Sequence, residues 1–109
     1  MRIEIIGDDS ISRQARTYAE YRLFAALSEV IDTEQVLSAS LVLRRAKNAR
    51  DGGGVVCTVT IDLHGGEVAR VRASGEHPYA AINRTVERLR LSSWPGRHEP
   101  SRRQVTAAE

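Results

Sequence analysis

The sequence predicts an α+β fold in the order β-α-β-β-β-α, in which two helices pack on one face of a four-stranded sheet. Four segments alternate apolar and polar residues with a period of two, which is typical of strands buried on one side. Two other segments repeat apolar residues at intervals of three and four, as amphipathic helices do. The chain has 109 residues, 41% of them apolar, which is enough for one domain with a single core.

The N-terminal segment predicts a short strand followed by a long helix. Ile3 and Ile5 alternate with polar residues and should face inward, and the loop at residues 7–10 ends the strand. Ser12 is a good N-cap for the helix that follows. One face of that helix carries a buried stripe made of Ala15, Ala19, Leu23, Leu27 or Ala26, Val30 and Ile31.

The middle of the chain predicts three strands joined by turns, an antiparallel meander. Glycines at residues 52–54 and 65–66 permit the two turns. The residues expected to face inward are Ala39, Leu41 and Leu43 in the first of these strands, Val55, Cys57, Val59, Ile61 and Leu63 in the next, and Ala69, Val71 and Ala73 in the last.

A second helix is predicted after these strands. His77 is suited to the cap and Pro78 to the first helical position. The expected buried stripe is Tyr79, Ile82, Val86 and Leu89, which leaves Arg84, Arg88 and Arg90 on the other faces. We expect residues 1–94 to form the domain and residues 95–109, which are polar and aperiodic, to form a disordered tail.

Charge and cysteine content narrow the classes of function. The net charge is +2, and 15 of the 16 basic residues are arginine. Residues 1–94 contain 13 basic and 12 acidic side chains, so a positive patch must come from arrangement, and a globally basic nucleic-acid binder is excluded. With one cysteine, no leader-like segment and no apolar run of about 18 residues, we expect a soluble cytoplasmic protein that does not enter a membrane.

The reactive side chains do not indicate an enzyme. Cys57 falls on the apolar face of a predicted strand, where a thiol acts as a small hydrophobe. His64 precedes two glycines and fits a turn. One cysteine and three scattered histidines match no zinc-site spacing, and the glycines lack the features of a phosphate loop. We therefore expect no catalysis, no cofactor, no metal and no small-molecule substrate.

The segment from Gly65 to Leu89, GGEVARVRASGEHPYAAINRTVERL, together with the order of elements, resembles the short hibernation-promoting factors, also called protein Y or ribosome-associated inhibitor A. The run Tyr79 to Ile82 is the strongest local match, and the resemblance extends from about Arg2 to Leu91. It implies a stress or stationary-phase factor that binds ribosomal RNA in the cleft of the small subunit where messenger and transfer RNA lie, and that blocks translation.

The resemblance also implies which side chains contact RNA. Carried over by position, the candidates are Arg22 in the first helix and Arg84 and Arg88 in the second. The strand pattern adds five more basic residues, which are otherwise explained as part of a solvated sheet face: Arg44, Arg45, Lys47, Arg70 and Arg72.

Several positions depart from the family pattern. Members commonly have aspartate where His77 and Asn83 stand, and lysines near Ala25. Their second helix usually continues with more basic residues, whereas this chain reaches Pro95 early. Fewer phosphate contacts imply weaker and more salt-sensitive binding, or a different partner.

Two alternatives remain open. A stand-alone double-stranded-RNA-binding domain shares the order α-β-β-β-α, although the start of the last helix lacks the lysines of that domain. A protein-interaction module would instead form a homodimer through the polar sheet face or through Tyr21 and Phe24, which form a contact patch if they are exposed.

Overall fold

The computed structural model describes residues 1–46 and 54–92. The elements follow the predicted order: β1 (Arg2–Gly7), α1 (Arg13–Val30), β2 (Val36–Arg45), β3 (Val55–Leu63), β4 (Val68–Gly75) and α2 (Pro78–Leu91), with a 3-10 turn (Thr33–Gln35) before β2. The predicted α+β class is confirmed. The turn at Thr33–Gln35 was not predicted, and β2 begins three residues before Ala39.

The four strands form one mixed sheet in the order β1-β2-β3-β4. β1 is parallel to β2 because the chain crosses over through α1, as a parallel connection requires. β2, β3 and β4 form the antiparallel meander that the sequence predicts. One row of the ladder, Ile5, Leu41, Val59 and Val71, crosses all four strands. β1 and β4 are therefore the two edges of the sheet.

The core lies between one face of this sheet and the two helices. The predicted inward positions of β2 and β3 are all buried, with Val59 and Ile61 fully so, while Ile3 and Ile5 are half-buried against the core. α1 packs on β1 and β2, and α2 packs on β3 and β4. Both helices thus cover the same face, and the other face keeps its half-exposed hydroxyl and charged side chains.

Local signals in the sequence set the start of each helix. Ser12 Oγ accepts a hydrogen bond from the backbone N–H of Ala15 at 3.1 Å, which confirms the predicted N-cap. His77 Nδ1 accepts from the N–H of Ala80 at 3.2 Å, and Pro78 is the first helical residue. The buried stripe of α1 is also as predicted.

The predicted stripe of α2 is wrong at Tyr79. This side chain is 36% exposed and packs edge-on against Tyr18 of α1, with ring centroids 5.1 Å apart. It lies in the first turn, beyond the edge of the core. Ala81 and Thr85 are buried in addition to the predicted aliphatic residues.

The predicted disordered tail at residues 95–109 and the glycine turn at residues 52–53 lie outside the described residues. Within residues 1–46 and 54–92, neither helix is both long enough and apolar enough to cross a membrane.

Candidate nucleic-acid interface

Four of the predicted RNA-binding residues meet along one edge of the sheet. Arg70 and Arg72 come from β4, and Arg84 and Arg88 come from the face of α2 that overhangs that strand. We call this set the arginine edge. All four side chains are exposed, so the edge carries a local positive charge although the whole chain carries only +2.

Arg84 and Arg88 are held in place by the backbone of β4. Arg84 Nη1 donates to the carbonyl of Ser74 at 3.0 Å, and Arg88 Nη1 donates to the carbonyl of Arg72 at 2.5 Å. Four residues of helix advance about 6 Å and two residues of strand advance about 6.6 Å. The two spacings match, so two arginines one helical turn apart reach two successive outward carbonyls.

Each guanidinium retains donors for a ligand. Arginine has five N–H donors in a planar fork, and each of these two bonds uses one. The remaining donors are exposed, and their direction is fixed by the bond to the strand. A planar fork held in this way suits the paired oxygens of a phosphate.

The arginine edge borders two shallow depressions along the junction of β4 and α2. The larger, of about 510 Å³, is lined by Arg70, Val71, Arg72, Arg88, Leu91 and Ser92. The smaller, of about 170 Å³, contains Arg84 and the acidic Glu76. The positive character is therefore concentrated at the Arg88 end of the edge.

Arg22, the third residue carried over from the resemblance, lies on the other side of α2. Its Nε donates to Asn83 Oδ1 at 3.2 Å, and the same oxygen accepts from the Tyr18 hydroxyl at 2.7 Å. With Tyr79, these side chains form an interhelical cluster. α2 separates Arg22 from the arginine edge, so the three carried-over arginines do not form a single patch.

An ion pair extends the junction between the helices. Arg90 Nε lies 2.7 Å from Glu29 Oε1, and Arg90 Nη1 lies 3.7 Å from Glu87 Oε1. Because these side chains are about half exposed, the pairs add little to stability. They leave Arg90 less available to a phosphate than its exposed position in the sequence pattern indicates.

The basic residues at the end of β2 lie apart from the arginine edge. Arg45 Nε donates to Ser10 Oγ at 3.1 Å, and Ser10 in turn donates to Asp8. The bonds from Ser10, together with the charges of Arg45 and Arg16, hold the pKa of Asp8 below its usual value. Arg45 is thus partly neutralised. Arg44 is exposed, and Lys47 lies outside the described residues.

Cys57 and His64, two of the groups weighed as catalytic, are placed as the sequence predicts, and His98 lies outside the described residues. Cys57 is fully buried, and burial raises the pKa of its thiol to about 11, so the thiol is protonated at neutral pH. His64 lies in the turn between β3 and β4. In the described part of the chain, no three His, Cys, Asp or Glu side chains converge in a metal-binding arrangement.

Two features of this surface escaped the sequence reasoning. Asn83 joins α2 to α1 because it accepts hydrogen bonds from Tyr18 and Arg22, which precede it in the chain by 65 and 61 positions. Arg16 Nη2 holds the β1–α1 loop by donating to the carbonyls of Gly7 and Asp8, each at 2.9 Å. Neither contact has a periodic signal, because each depends on how separate elements pack. Polar residues beside an apolar stripe were the one available clue.

Comparisons with known proteins agree with this architecture. A solved structure described as a ribosomal subunit interface protein from Coxiella burnetii superimposes with a TM-score of 0.65 over 84% of this chain and 91% of that one, at 16% identity. That likeness shows the fold. A search of curated proteins gives no match. The model of the family described as sigma 54 modulation protein / S30EA ribosomal protein matches residues 3–91. The chain therefore belongs to the sigma 54 modulation protein / S30EA ribosomal protein family.

Proposed function

We propose that this protein is a ribosome hibernation factor that binds ribosomal RNA in the messenger and transfer RNA cleft of the small subunit and so inhibits translation. The observation that carries the proposal is the family match, which spans the domain from β1 to the end of α2. The family description names a ribosomal protein, and the similar solved structure is described as a subunit interface protein.

The arginine edge supplies a physical means of binding. Ribosomal RNA offers phosphates and 2′-hydroxyls to a folded surface, and the forks of Arg84 and Arg88 are already oriented. A protein that makes about four phosphate contacts loses affinity with salt at a slope of about −3 in log K against log [salt]. We therefore expect binding that is strong at low salt and falls steeply as salt rises.

The chemistry of this function is binding alone. Among the described residues, the buried, protonated Cys57 forms no reactive pair with His64 or His77, and the proposed mechanism is occupancy of the cleft. Association with ribosomes also places the protein in the cytoplasm.

The experiment that tests the proposal is co-sedimentation of the purified protein with small subunits and with whole ribosomes across a salt series. We expect saturable binding near one copy per subunit, and no displacement by a duplex RNA of similar length. Displacement by the duplex would favour a general double-stranded-RNA binder, and no sedimentation even at low salt would overturn the proposal. Inhibition of translation in a purified system is the next measurement.

A protein-interaction module is the second candidate function, and one observation favours it. Tyr21 and Phe24 of α1 are 68% and 51% exposed, as that hypothesis requires. Both lie away from the arginine edge, so a partner bound there would leave that edge free. Binding of a partner by a Tyr21→Ser, Phe24→Ser double variant as well as by the wild type would exclude this surface.

A further inference from the structure

The outer edge of β1 is less covered than that of β4. In the part of the chain that the structure describes, Arg16 bonds to the carbonyl of Gly7 at the end of β1, and no side chain bonds to the backbone of residues 2–6. Among the described residues, β1 has a strand neighbour, β2, on one side only. An edge strand presents a row of unpaired N–H and C=O groups, and proteins commonly protect it with proline, lysine, a bulge or a covering helix. β1 pairs with β2 in continuous register and contains neither proline nor lysine.

We propose that β1 pairs with β1 of a second copy of this chain, antiparallel and about a two-fold axis at Ile3. The two sheets would then join into one sheet of eight strands with all four helices on the same face. The contact is isologous, so the same residues meet from both copies. This inference stands independently of ribosome binding, which uses the opposite edge.

The charges of β1 select this register. Arg2 and Glu4 both lie on the face of the sheet away from the helices, and no hydrogen bond or ion pair joins the side chain of either one to another described residue. With the axis at Ile3, Arg2 of each copy lies directly opposite Glu4 of the other, which gives two reciprocal charge pairs. An axis at Glu4 would place two carboxylates opposite each other instead.

Registers with the axis between two residues are also unfavourable. Side chains that are directly opposite in an antiparallel pair lie on the same face of the sheet. An axis between Ile3 and Glu4 would set Arg2 opposite Ile5, and would therefore put the helices of the two copies on opposite faces. With the axis at Ile3, by contrast, isoleucine meets isoleucine on the helix-covered face, and Ile5 meets Met1.

Several apolar side chains near this edge are exposed. Met1 and Ile6 are 44% and 46% exposed, and Phe24 is 51% exposed. Tyr18 and Arg22 mark the side of α1 that contacts α2, and at 100° per residue Phe24 falls on the opposite side, toward β1. Pairing of two β1 strands would cover part of this apolar surface.

The size of the contact sets the expected affinity. Five residue pairs make an interface below the standard size, which is typical of weak and transient complexes. We therefore expect a dissociation constant on the order of 100 μM. The dimer would form at high local concentration and separate on dilution.

Sedimentation equilibrium of the full chain, from about 10 μM to about 1 mM, tests the proposal. The wild type should pass from monomer to dimer over this range. Arg2→Glu and Glu4→Arg each place like charges opposite each other, and each should weaken the dimer about tenfold or more. The exchange variant R2E/E4R restores both pairs and should dimerise within about threefold of the wild type.

Cross-linking tests the register separately. Ile3→Cys lies at the axis and should form an intermolecular disulfide on mild oxidation, whereas Ile5→Cys should not; the native Cys57 is fully buried and serves as the internal control. A monomeric mass at every concentration would overturn the proposal, as would single charge variants that dimerise as well as the wild type. A cross-link through Ile5→Cys in preference to Ile3→Cys would overturn the register.

Discussion

The two edge strands of the sheet, β1 and β4, both have backbone N–H and C=O groups that no neighbouring strand pairs, and they differ in how these groups are bonded. At β4, arginines from α2 bond to the carbonyls of Ser74 and Arg72, so the edge is closed and its helix carries oriented positive charge. At β1, Arg16 bonds to the carbonyl of Gly7 at the end of the strand, but in the described residues no side chain bonds to the backbone of residues 2–6. The strand bears one arginine and one glutamate. Closure of one edge thus orients the arginines that we propose bind RNA, while the open part of the other edge remains available to another strand.

This difference follows from where the helices lie. α2 packs closely on β4, because Gly75 lets the strand approach the first turn of the helix. α1 reaches the sheet through small residues, Ala15 and Ala19. Its Arg16 donates to the carbonyl of Gly7, the last residue of β1, and to that of Asp8. In the described residues, α1 therefore bonds only to the end of β1, whereas Arg84 and Arg88 bond to two successive outward carbonyls of β4.

The largest expected effect is unfolding of the whole domain, which abolishes both edges of the sheet. Val59→Asp places a charge without a partner in the fully buried centre of β3, at a cost of about 4 kcal/mol or more, which is comparable to the whole stability of a small domain. The matched control, Thr60→Asp, lies on the half-exposed face of the same strand and should cost less than about 1 kcal/mol. A normal cooperative unfolding transition for Val59→Asp would show that the assigned facing of β3 is wrong.

A smaller effect should disturb only the β4 edge. A Cβ at Gly75 would lie 2.5 Å from the backbone nitrogen of Ala81, so Gly75→Ala must push α2 away from β4, at a cost of about 1–3 kcal/mol. In Gly65→Ala the nearest atom, 2.6 Å away, belongs to the flexible side chain of Glu67, and this control should unfold near the wild-type urea midpoint. Equal midpoints for the two variants would contradict the close approach of β4 and α2.

The smallest effect concerns the thiol beneath α2. Thr85 Oγ1 lies 3.3 Å from the Cys57 carbonyl, and burial raises the pKa of the Cys57 thiol from 9.0 to about 11. Since the unfolded chain loses this proton first, the stability that the buried thiol contributes is present below pH 9 and is lost as the pH rises to about 11. In urea unfolding, the free energy of unfolding of the wild type should fall relative to that of Cys57→Ala over that interval, and parallel pH dependences for the two proteins would contradict the raised pKa.

Most of the fold could be predicted from the alternation of apolar and polar residues in the strands and from the residues that cap the helices. Alternation fixed which residues of β2 and β3 face the core, and Ser12 and Pro78 marked the helix starts. The position of β1 beside β2 had no comparable signal, because a parallel neighbour is joined through a long crossover. The prediction that Tyr79 is buried was wrong because periodicity alone does not show that the first turn of α2 extends past the sheet.

The candidate site was less predictable than the fold. The sequence placed Arg84 and Arg88 on the exposed side of α2, but it gave no sign that β4 carbonyls hold them, since that contact depends on the packing distance between helix and strand. Arg22 was grouped with them by resemblance, yet α2 lies between. The assignment of these residues to RNA binding stays a prediction.

The most direct test of the central claim compares the two edges by charge reversal in the ribosome co-sedimentation assay. Arg84→Glu and Arg88→Glu should each weaken binding about tenfold, and together about a hundredfold, since each removes a charge-assisted contact to phosphate. Arg2→Glu makes the same charge change at the β1 edge and should stay within about threefold of the wild type. The account would be contradicted if the double variant bound ribosomes as tightly as Arg2→Glu.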